Sequence, residues 1–251
     1  HWPGRAGSAS MLRCGLIWRL PNMSMTHQDK VGALRKIPIL ADLSPDELEA
    51  LLEITKSASF KKDDHLFSEG TYGEEVYLII AGTIKVTTSE PTRKTKILNM
   101  LNAGDVLGEM AMIDAEYRSA TATAHEDTET LVLTCADFLK LIQLHPSMQL
   151  KIMITLCRRL RNANDEIRNY TFYDLAGRLT KVILSLFEQF PGDGDTPFIN
   201  LQLTHQDLAN MLGTARESVT KLISSFKRSG AIDYRDHMIY ITDQAELESW
   251  I

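Results

Sequence analysis

Two short segments, Gly108 to Ala111 and Arg118 to Ala120, carry groups that can hold a small anion. The amides after Gly108 are predicted to open a short helix, and a helix N-terminus attracts anions. Arg118 followed by a hydroxyl can bind a singly charged phosphate through charge-assisted hydrogen bonds. Glu109 fits beside that anion if its carboxylate accepts a hydrogen bond from a hydroxyl, such as a ribose 2′-OH. The predicted ligand site therefore comprises Gly108, Glu109, Met110, Ala111, Arg118, Ser119 and Ala120; the alternative is a surface ion pair between Glu109 and Arg118.

Residues 204–230 predict two short helices joined by a turn. Thr204 can cap the first helix, and Gly213 can end it because glycine tolerates the left-handed conformation. Thr214 is predicted to start the second helix, with Glu217 at capping-box spacing. The second helix has one apolar face, formed by Val219, Leu222, Ile223 and Phe226. This pattern is typical of a helix-turn-helix, whose second helix enters the major groove of DNA.

Positive charge is concentrated on that second helix. Residues 214–230 contain four basic residues and one acidic residue, whereas residues 173–251 contain seven basic and eleven acidic residues. Arg216 is the favoured base reader, because a guanidinium matches the two acceptors of guanine. Glu217 fits a helix cap or a base contact equally well, and Lys227 fits a phosphate contact. The predicted DNA-binding residues are Thr204, Arg216, Glu217, Ser218, Thr220, Lys221 and Lys227.

The elements around these two sites follow from their patterns. Ser44, Pro45 and Glu47 open a helix whose apolar face is Leu48, Leu51, Leu52 and Ile54. Residues 59–134 contain short β-rich runs separated by turn residues, which indicates an antiparallel sandwich or barrel. Residues 232–241 alternate around Arg235 and His237, which predicts a wing whose tip can touch phosphates.

A long helix is predicted between these regions. Its seam residues recur at alternating steps of three and four, as in a heptad repeat: Leu150, Met153, Cys157, Leu160, Asn164, Ile167 and Thr171. Such a seam favours a parallel homodimer through residues 144–171. The alternative is a long helix packed on its own sheet.

Composition narrows the class of protein. The chain has 251 residues, of which 44% are hydrophobic and 24% charged, and its net charge is −6. These values indicate a globular protein of one or two domains, which would contact DNA through a local basic surface. Cys14, Cys135 and Cys157 form no CxxC pair, so a reducing cytoplasm is expected. We find no membrane span, no metal-ligand spacing and no catalytic arrangement, so no metal, membrane contact or enzyme activity is expected.

The order of these features resembles the CRP/FNR family of bacterial transcription regulators over residues 31–251. The resemblance is carried by residues 108–111, 118–121, 158–160, 174–179 and 213–219. It implies an α+β chain: a jelly-roll-like β-roll that binds a cyclic nucleotide, a long dimerisation helix and a C-terminal winged helix-turn-helix. In the cAMP-binding members, residues matching Gly108, Glu109, Arg118 and Ser119 hold the ribose phosphate. The resemblance adds Arg159 and Asn164, from the long helix, to the expected ligand-binding residues.

The chain departs from the family pattern at three positions. Cyclic-AMP-binding members contact adenine with a Thr-Ser pair, which Ala163 and Asn164 replace here. Ala163 cannot hydrogen-bond a base, whereas Asn164 can, and a buried Asn in a seam also sets register. Lys221 stands where the cAMP receptor protein has an arginine, so one base contact is expected to differ. The four-cysteine cluster of the oxygen-sensing branch is absent, which argues against an iron–sulfur sensor.

The sequence thus predicts an effector-responsive DNA-binding transcription regulator with cAMP or a related cyclic nucleotide as effector. Residues 1–30 are expected to be a leader or vector-derived segment, 31–143 the β-domain, 144–171 the dimerisation helix and 172–251 the DNA-binding domain. The expected partners are a two-fold symmetric DNA operator, a second copy of the chain and RNA polymerase. Two alternatives stay open: another effector (haem with a gas) or none, and a nucleotide-binding module that acts by protein contact.

Overall fold

The computed structural model describes residues 26–90, 94–192 and 197–251. It begins with two helices, α1 (His27–Arg35) and α2 (Pro45–Ile54), separated by a 3-10 turn at Pro38–Leu40. Helix α1 starts before the expected domain boundary at residue 31, while residues 1–25 of the expected leader lie outside the described residues. Val31 and Leu34 of α1 are buried in the same core as α2.

Helix α2 confirms its predicted start. The Ser44 hydroxyl accepts a hydrogen bond from the Glu47 amide (3.3 Å), and the Glu47 carboxylate accepts one from the Ser44 amide (2.7 Å). The inclusion of Ile54 in the buried face was wrong: its side chain is largely exposed, because the helix ends there and the chain turns into the first strand.

Eight strands form the predicted antiparallel sandwich. They are β1 (Lys56–Phe60), β2 (His65–Phe67), β3 (Glu75–Ala81), β4 (Thr83–Ser89), β5 (Thr95–Asn102), β6 (Val106–Leu107), β7 (Thr121–Ala124) and β8 (Thr128–Thr134). One sheet has the order β1-β8-β3-β6 and the other β2-β7-β4-β5. Their facing side chains, including Tyr77, Ile84 and Val132, form an apolar core between the sheets. A short helix, α3 (Glu109–Ile113), follows β6 as predicted.

Two helices follow the sandwich, α4 (Cys135–Leu144) and α5 (Pro146–Phe172). Met148 and Ile152 of α5 are buried against the β-domain. The heptad seam lies on another face, where Leu160 and Ile167 are 64% and 66% exposed. The seam is therefore not packed on the sheet of its own chain, and its apolar residues form an exposed stripe.

The C-terminal domain is a winged helix-turn-helix. Helix α6 (Leu175–Gln189) precedes β9 (Pro191–Gly192), β10 (Phe198–Ile199), α7 (His205–Leu212), α8 (Arg216–Ser229), β11 (Ile232–Arg235), β12 (Met238–Ile241) and α9 (Gln244–Glu248). The four strands form one sheet in the order β11-β12-β10-β9. Val219, Ile223 and Phe226 are buried as predicted, and they pack with residues of α6 and α7.

The two domains also touch each other through β4, β5 and α7. Ile97 and Met100 of β5 belong to the same apolar cluster as the helix-turn-helix core. The Lys85 ammonium lies 3.8 Å from the Asp207 carboxylate of α7. The His125 Nε2 atom lies 2.6 Å from the carbonyl oxygen of Gln202. The first helix of the helix-turn-helix therefore rests on the β-domain of the same chain.

Candidate functional site

A cavity of about 410 Å³ opens between the β-domain and helix α5. This volume falls within the range of roughly 300–1,000 Å³ that is usual for small-molecule sites. The two segments singled out in the sequence meet here, because Gly108 to Ala111 and Arg118 to Ala120 all line the cavity. The other walls are formed by apolar residues of the sheets and by one face of α5.

Arg118 is the central cation of the cavity, although its side chain is only 5% exposed. Its guanidinium donates hydrogen bonds to the carbonyl oxygens of Gly108 (2.9 Å) and Glu75 (2.6 Å). It also lies over the Phe67 ring, with Cζ 4.2 Å from the centroid. Burial lowers the pKa of Arg118, against the opposing charges of nearby acidic groups, because desolvation disfavours the charged form. Arginine nevertheless stays protonated at neutral pH.

Two glycines make room for this arginine. Gly108 has φ +91°, and a Cβ atom there would lie 2.5 Å from the Arg118 guanidinium and 2.9 Å from the Glu75 carbonyl oxygen. A Cβ on Gly73 would lie 2.6 Å from the same guanidinium. Gly108 therefore turns the chain at the start of α3 and leaves room for the Arg118 side chain.

Glu109 pairs with Arg159 and not with Arg118. Its carboxylate is 4% exposed and forms an ion pair with the Arg159 guanidinium of α5. Arg159 also donates to the carbonyl oxygen of Val106 (3.0 Å). The alternative of a surface pair between Glu109 and Arg118 is therefore wrong. The buried pair instead ties α3 to the long helix across the mouth of the cavity.

Two buried polar atoms in the site have no partner among the described residues: Oε2 of Glu109 and Nε of Arg118. Such atoms cost free energy unless a ligand or water satisfies them. The first can only accept a hydrogen bond and the second can only donate one. A ligand that offers a hydroxyl beside an anionic oxygen satisfies both. Ser119 is exposed at the cavity wall, where its hydroxyl can donate to the same anion.

Helix α5 contributes to the cavity wall Arg159, which was expected from the sequence, and Asn162 and Glu166, which were missed. Arg159, Asn162, Ala163 and Glu166 line the cavity, whereas Asn164 is exposed and does not. Asn162, Ala163 and Glu166 follow Arg159 by three, four and seven residues, which places all four on one helical face. That spacing could have identified Asn162 and Glu166 once Arg159 was chosen. The call of Asn164 as a ligand-binding residue is therefore not supported by the lining of the cavity in this chain.

Most of the residues predicted to bind DNA lie on helix α8. Arg216, Glu217, Thr220 and Lys221 are exposed on one face, and Ser218 beside them is half-buried. Arg216, Glu217 and Lys221 make no side-chain ion pair or hydrogen bond to the part of the chain that the structure describes. Lys227 differs, because its ammonium contacts the Asp233 carboxylate (2.9 Å) and the Tyr234 carbonyl oxygen (3.0 Å).

The turn before α8 is confirmed in part. Thr204 caps α7 by accepting a hydrogen bond from the Asp207 amide (3.1 Å), and Gly213 ends α7 with φ +63°. The prediction that Thr214 caps α8 was wrong. Ala215 is the cap residue, and α8 begins at Arg216, because the Thr214 amide is still held by the Ala209 carbonyl (3.0 Å). Glu217 therefore lies one position too early to close a capping box.

The wing is a two-residue hairpin. Asp236 and His237 both have positive φ, at +51° and +62°, as a type I′ turn requires. Tyr234 anchors the wing, since its hydroxyl donates to the Leu203 carbonyl (2.8 Å). Arg235 stacks on the Tyr240 ring, 4.2 Å from its centroid. Arg235 belongs to the strand, so only Asp236 and His237 form the tip.

Comparisons with known proteins agree with this architecture. The family model described as "Cyclic nucleotide-binding domain" matches residues 57–145, and the one described as "Crp-like helix-turn-helix domain" matches residues 177–250. The "Cyclic AMP receptor protein" of Thermus thermophilus is 29% identical over 211 residues, which cover 84% of this chain and 95% of that protein. The "CRP-like cAMP-activated global transcriptional regulator" of Mycobacterium tuberculosis is 26% identical over 215 residues, covering 85% and 96%.

A solved structure shows the same fold. A mutant of CooA from Carboxydothermus hydrogenoformans superimposes with a TM-score of 0.72 over 85% of this chain and 94% of its own, at 21% identity. The two matched domains and the curated relatives define the class as a DNA-binding transcription regulator. The chain belongs to the CRP/FNR family. Within the described ranges, no helix is both long and apolar enough to cross a membrane.

Proposed function

We propose that this regulator binds a cyclic nucleotide, with cAMP as the first choice, and that the bound nucleotide switches its affinity for a two-fold symmetric DNA operator. The observation that carries this proposal is the buried pair of unsatisfied atoms, Arg118 Nε and Glu109 Oε2, in one cavity. A cyclic phosphate supplies the acceptor, and the adjacent ribose 2′-OH supplies the donor. The resemblance of the matched relatives to this chain supports cAMP, since two of them carry cyclic AMP in their names.

The proposed assembly is a homodimer through α5. In a single chain, an apolar stripe is exposed to water at an energetic cost. It is formed by the seam residues Leu150, Met153, Leu160 and Ile167. A second copy with the same heptad spacing buries that stripe and sets two copies of α8 side by side. Two recognition helices enter successive major grooves when they are about 34 Å apart. Contact with RNA polymerase belongs to the same proposal.

The cavity chemistry favours a nucleotide over haem as effector. Haem iron is usually held by histidine, cysteine, methionine or tyrosine. Of the described residues that line the cavity, only Met110 of α3 is of these types, and its side chain is about half-exposed. A Soret band in the purified protein would favour the haem alternative instead.

Calorimetric titration of the full chain with cAMP and with cGMP tests the effector. We expect one site per chain and tighter binding of cAMP. The operator is found by selection from random duplexes, and gel shifts then compare it with scrambled DNA, with and without nucleotide. Binding of neither nucleotide would overturn the effector proposal. Nucleotide binding without any specific DNA shift would instead favour a module that acts through protein contacts.

A further inference from the structure

The cavity has two ends with different chemistry. Arg118, Ser119 and the pair of Glu109 with Arg159 form the end that suits a ribose phosphate. The other polar groups in the lining are Asn99 of β5 and Asn162 and Glu166 of α5, set among Leu98, Leu101, Val86 and Ala163. If the ribose phosphate occupies the first end, as the proposed function requires, the base extends towards these residues.

Glu166 differs from the other groups at this end because it is charged. One of its oxygens, Oε1, forms an ion pair with the Lys96 ammonium of β5. The side chain of Glu166 is 39% exposed and that of Lys96 is 23% exposed, so the pair borders the cavity and is not sealed in the core. The second oxygen of Glu166 takes part in no hydrogen bond or ion pair with the residues that the structure describes. Lys96 therefore holds this carboxylate in place, and its second oxygen is free to accept a hydrogen bond from a ligand.

An ionised carboxylate only accepts hydrogen bonds. It discriminates between bases that present an N–H group at that point and bases that present a ring nitrogen or a carbonyl oxygen. We propose that Glu166 is the specificity-determining residue for the nucleobase and accepts a hydrogen bond from its amino group. This inference rests on the proposed function. It also explains how a chain with Ala163 in the cavity wall can recognise a base. Ala163 cannot form a hydrogen bond to the base, but Glu166, about one helical turn further along α5, can.

Lys96 gives this contact a second consequence. The same ammonium donates to the carbonyl oxygen of Met211, in the last turn of α7, and lies 5.5 Å from the centroid of the Tyr170 ring. A base that draws Glu166 towards the cavity therefore acts on the residue that holds α7 to the β-domain. Lys96 is a positioning residue, since it orients Glu166 and does not line the ligand cavity.

The test compares nucleotides that share the cyclic phosphate and ribose and differ only at the base. One pair is cAMP and the cyclic phosphate of purine riboside, which lacks the 6-amino group. The other pair is cGMP and cIMP, which lacks the 2-amino group. For the wild-type chain, we expect at least one pair to show a preference of about tenfold or more for the amino-bearing member, as for a hydrogen bond to a charged group. The pair that shows it identifies the base.

Two variants of neighbouring carboxylates complete the design. Glu166→Gln keeps the size of the side chain and should reduce the preference to within about twofold, while binding of the analogue that lacks the amino group changes little. Asp165→Asn is the matched control, because Asp165 is exposed and does not line this cavity; it should keep the wild-type preference. An unchanged preference in Glu166→Gln, or no preference in the wild type, overturns the inference alone. If the wild type binds none of the four nucleotides, both this inference and the proposed function are wrong.

Discussion

Arg118 and Arg216 are both proposed to bind an anion, a nucleotide phosphate and DNA respectively, but their surroundings differ. Arg118 is buried, holds two backbone carbonyls and packs on an aromatic ring. Arg216 is exposed at the first turn of α8, with no side-chain partner among the described residues. The first arginine has lost its hydration before any ligand arrives. The second is still hydrated and becomes ordered only when DNA approaches.

This difference has an energetic meaning. A buried cation with an unsatisfied N–H is destabilised until a ligand satisfies it, so the ligand recovers that cost on binding. An exposed cation costs the fold almost nothing, but each contact it makes must first displace water and order a long side chain. We therefore expect substitutions in the cavity to weaken cAMP binding strongly. Substitutions on α8 should instead reduce discrimination between DNA sequences.

The largest effect is expected from Arg118→Ala. Loss of the guanidinium should weaken cAMP binding by about 2–4 kcal/mol, because the phosphate is then left in a partly desolvated site without its charge partner. Calorimetric titration measures the effect, and thermal melting checks that the variant is folded. Arg158→Ala is the control, since Arg158 is exposed on α5 and does not line the cavity. Unchanged cAMP affinity in Arg118→Ala would remove the cavity as the phosphate site.

A smaller and different effect is expected from Arg216→Ala. Preference for the selected operator over a single-base variant should fall by about 1–3 kcal/mol at the position it reads, whereas binding to random DNA should change little. Gel shifts at fixed salt provide both affinities. Arg228→Ala is the control, because Arg228 lies at the other end of α8 and bonds to Ser225 (3.2 Å). Equal losses on operator and random DNA would make Arg216 a phosphate contact.

In the proposed dimer, Asn164 lies between the ligand cavity and the partner helix. Its substitution should therefore change how strongly cAMP binding affects operator binding. It is exposed on the seam, one residue from the cavity wall. Asn164→Ala should keep most of the cAMP affinity but lose most of the gain in operator affinity that cAMP produces, a coupling of typically about 1–3 kcal/mol. Asn164→Leu should stabilise the seam in one register and reduce the same gain.

Operator affinity with and without cAMP measures this coupling. Thr171→Ala is a suitable control, because Thr171 is also polar and in the seam but satisfies its hydroxyl on the Ile167 carbonyl (3.0 Å). The same gain in the wild type and in both Asn164 variants would make Asn164 a seam residue only, and the switch would then have to run through another contact, such as Lys96.

Local patterns in the sequence predicted the elements that depend on local physics. The longer strands of the sandwich, the cap at Ser44 and the end of α7 at Gly213 all follow from neighbouring residues, and the structure has them. The paired segments around Gly108 and Arg118 were also recognisable, because their residue types are unusual together. The two-residue strands β6, β9 and β10 were missed, since only their partners in space define them as strands.

The remaining errors concern contacts between distant parts of the chain. Which face of α5 meets the β-domain depends on packing at Met148 and Ile152, so Glu166 entered the cavity and Asn164 did not. Lys227 was expected to be available to a phosphate, but the wing places Asp233 beside it. The start of α8 moved to Arg216 because the turn uses the Thr214 amide for α7. How the elements pack decides each of these contacts, although the spacing from Arg159 pointed to the face of α5 that carries Glu166.

The smallest predicted effect concerns pH and His205 of α7. Its Nδ1 atom lies 2.9 Å from the Thr220 hydroxyl of α8, and its ring stacks on Tyr234 with centroids 4.7 Å apart. Burial lowers the pKa of His205, and the positive charges of Arg216 and His237 act in the same direction. Below about pH 6.5, the ordinary value, the unfolded chain therefore binds more protons at this residue than the folded chain does. The stability contributed by neutral His205 is present above that pH and is lost as the pH falls through the lowered pKa.

His205→Asn tests this contribution, because the amide NH2 of Asn can donate to the Thr220 hydroxyl, which itself donates to the Arg216 carbonyl oxygen, but the amide does not titrate. The thermal midpoint of the wild type should fall more between about pH 7 and pH 5 than that of the variant. The same comparison repeated with operator DNA should show a smaller difference, since bound phosphates favour the protonated ring that the positive charges of Arg216 and His237 oppose. Parallel pH profiles for the two proteins would mean that His205 only packs α7 against α8, and the exposed helix would then carry no pH dependence of its own at this residue.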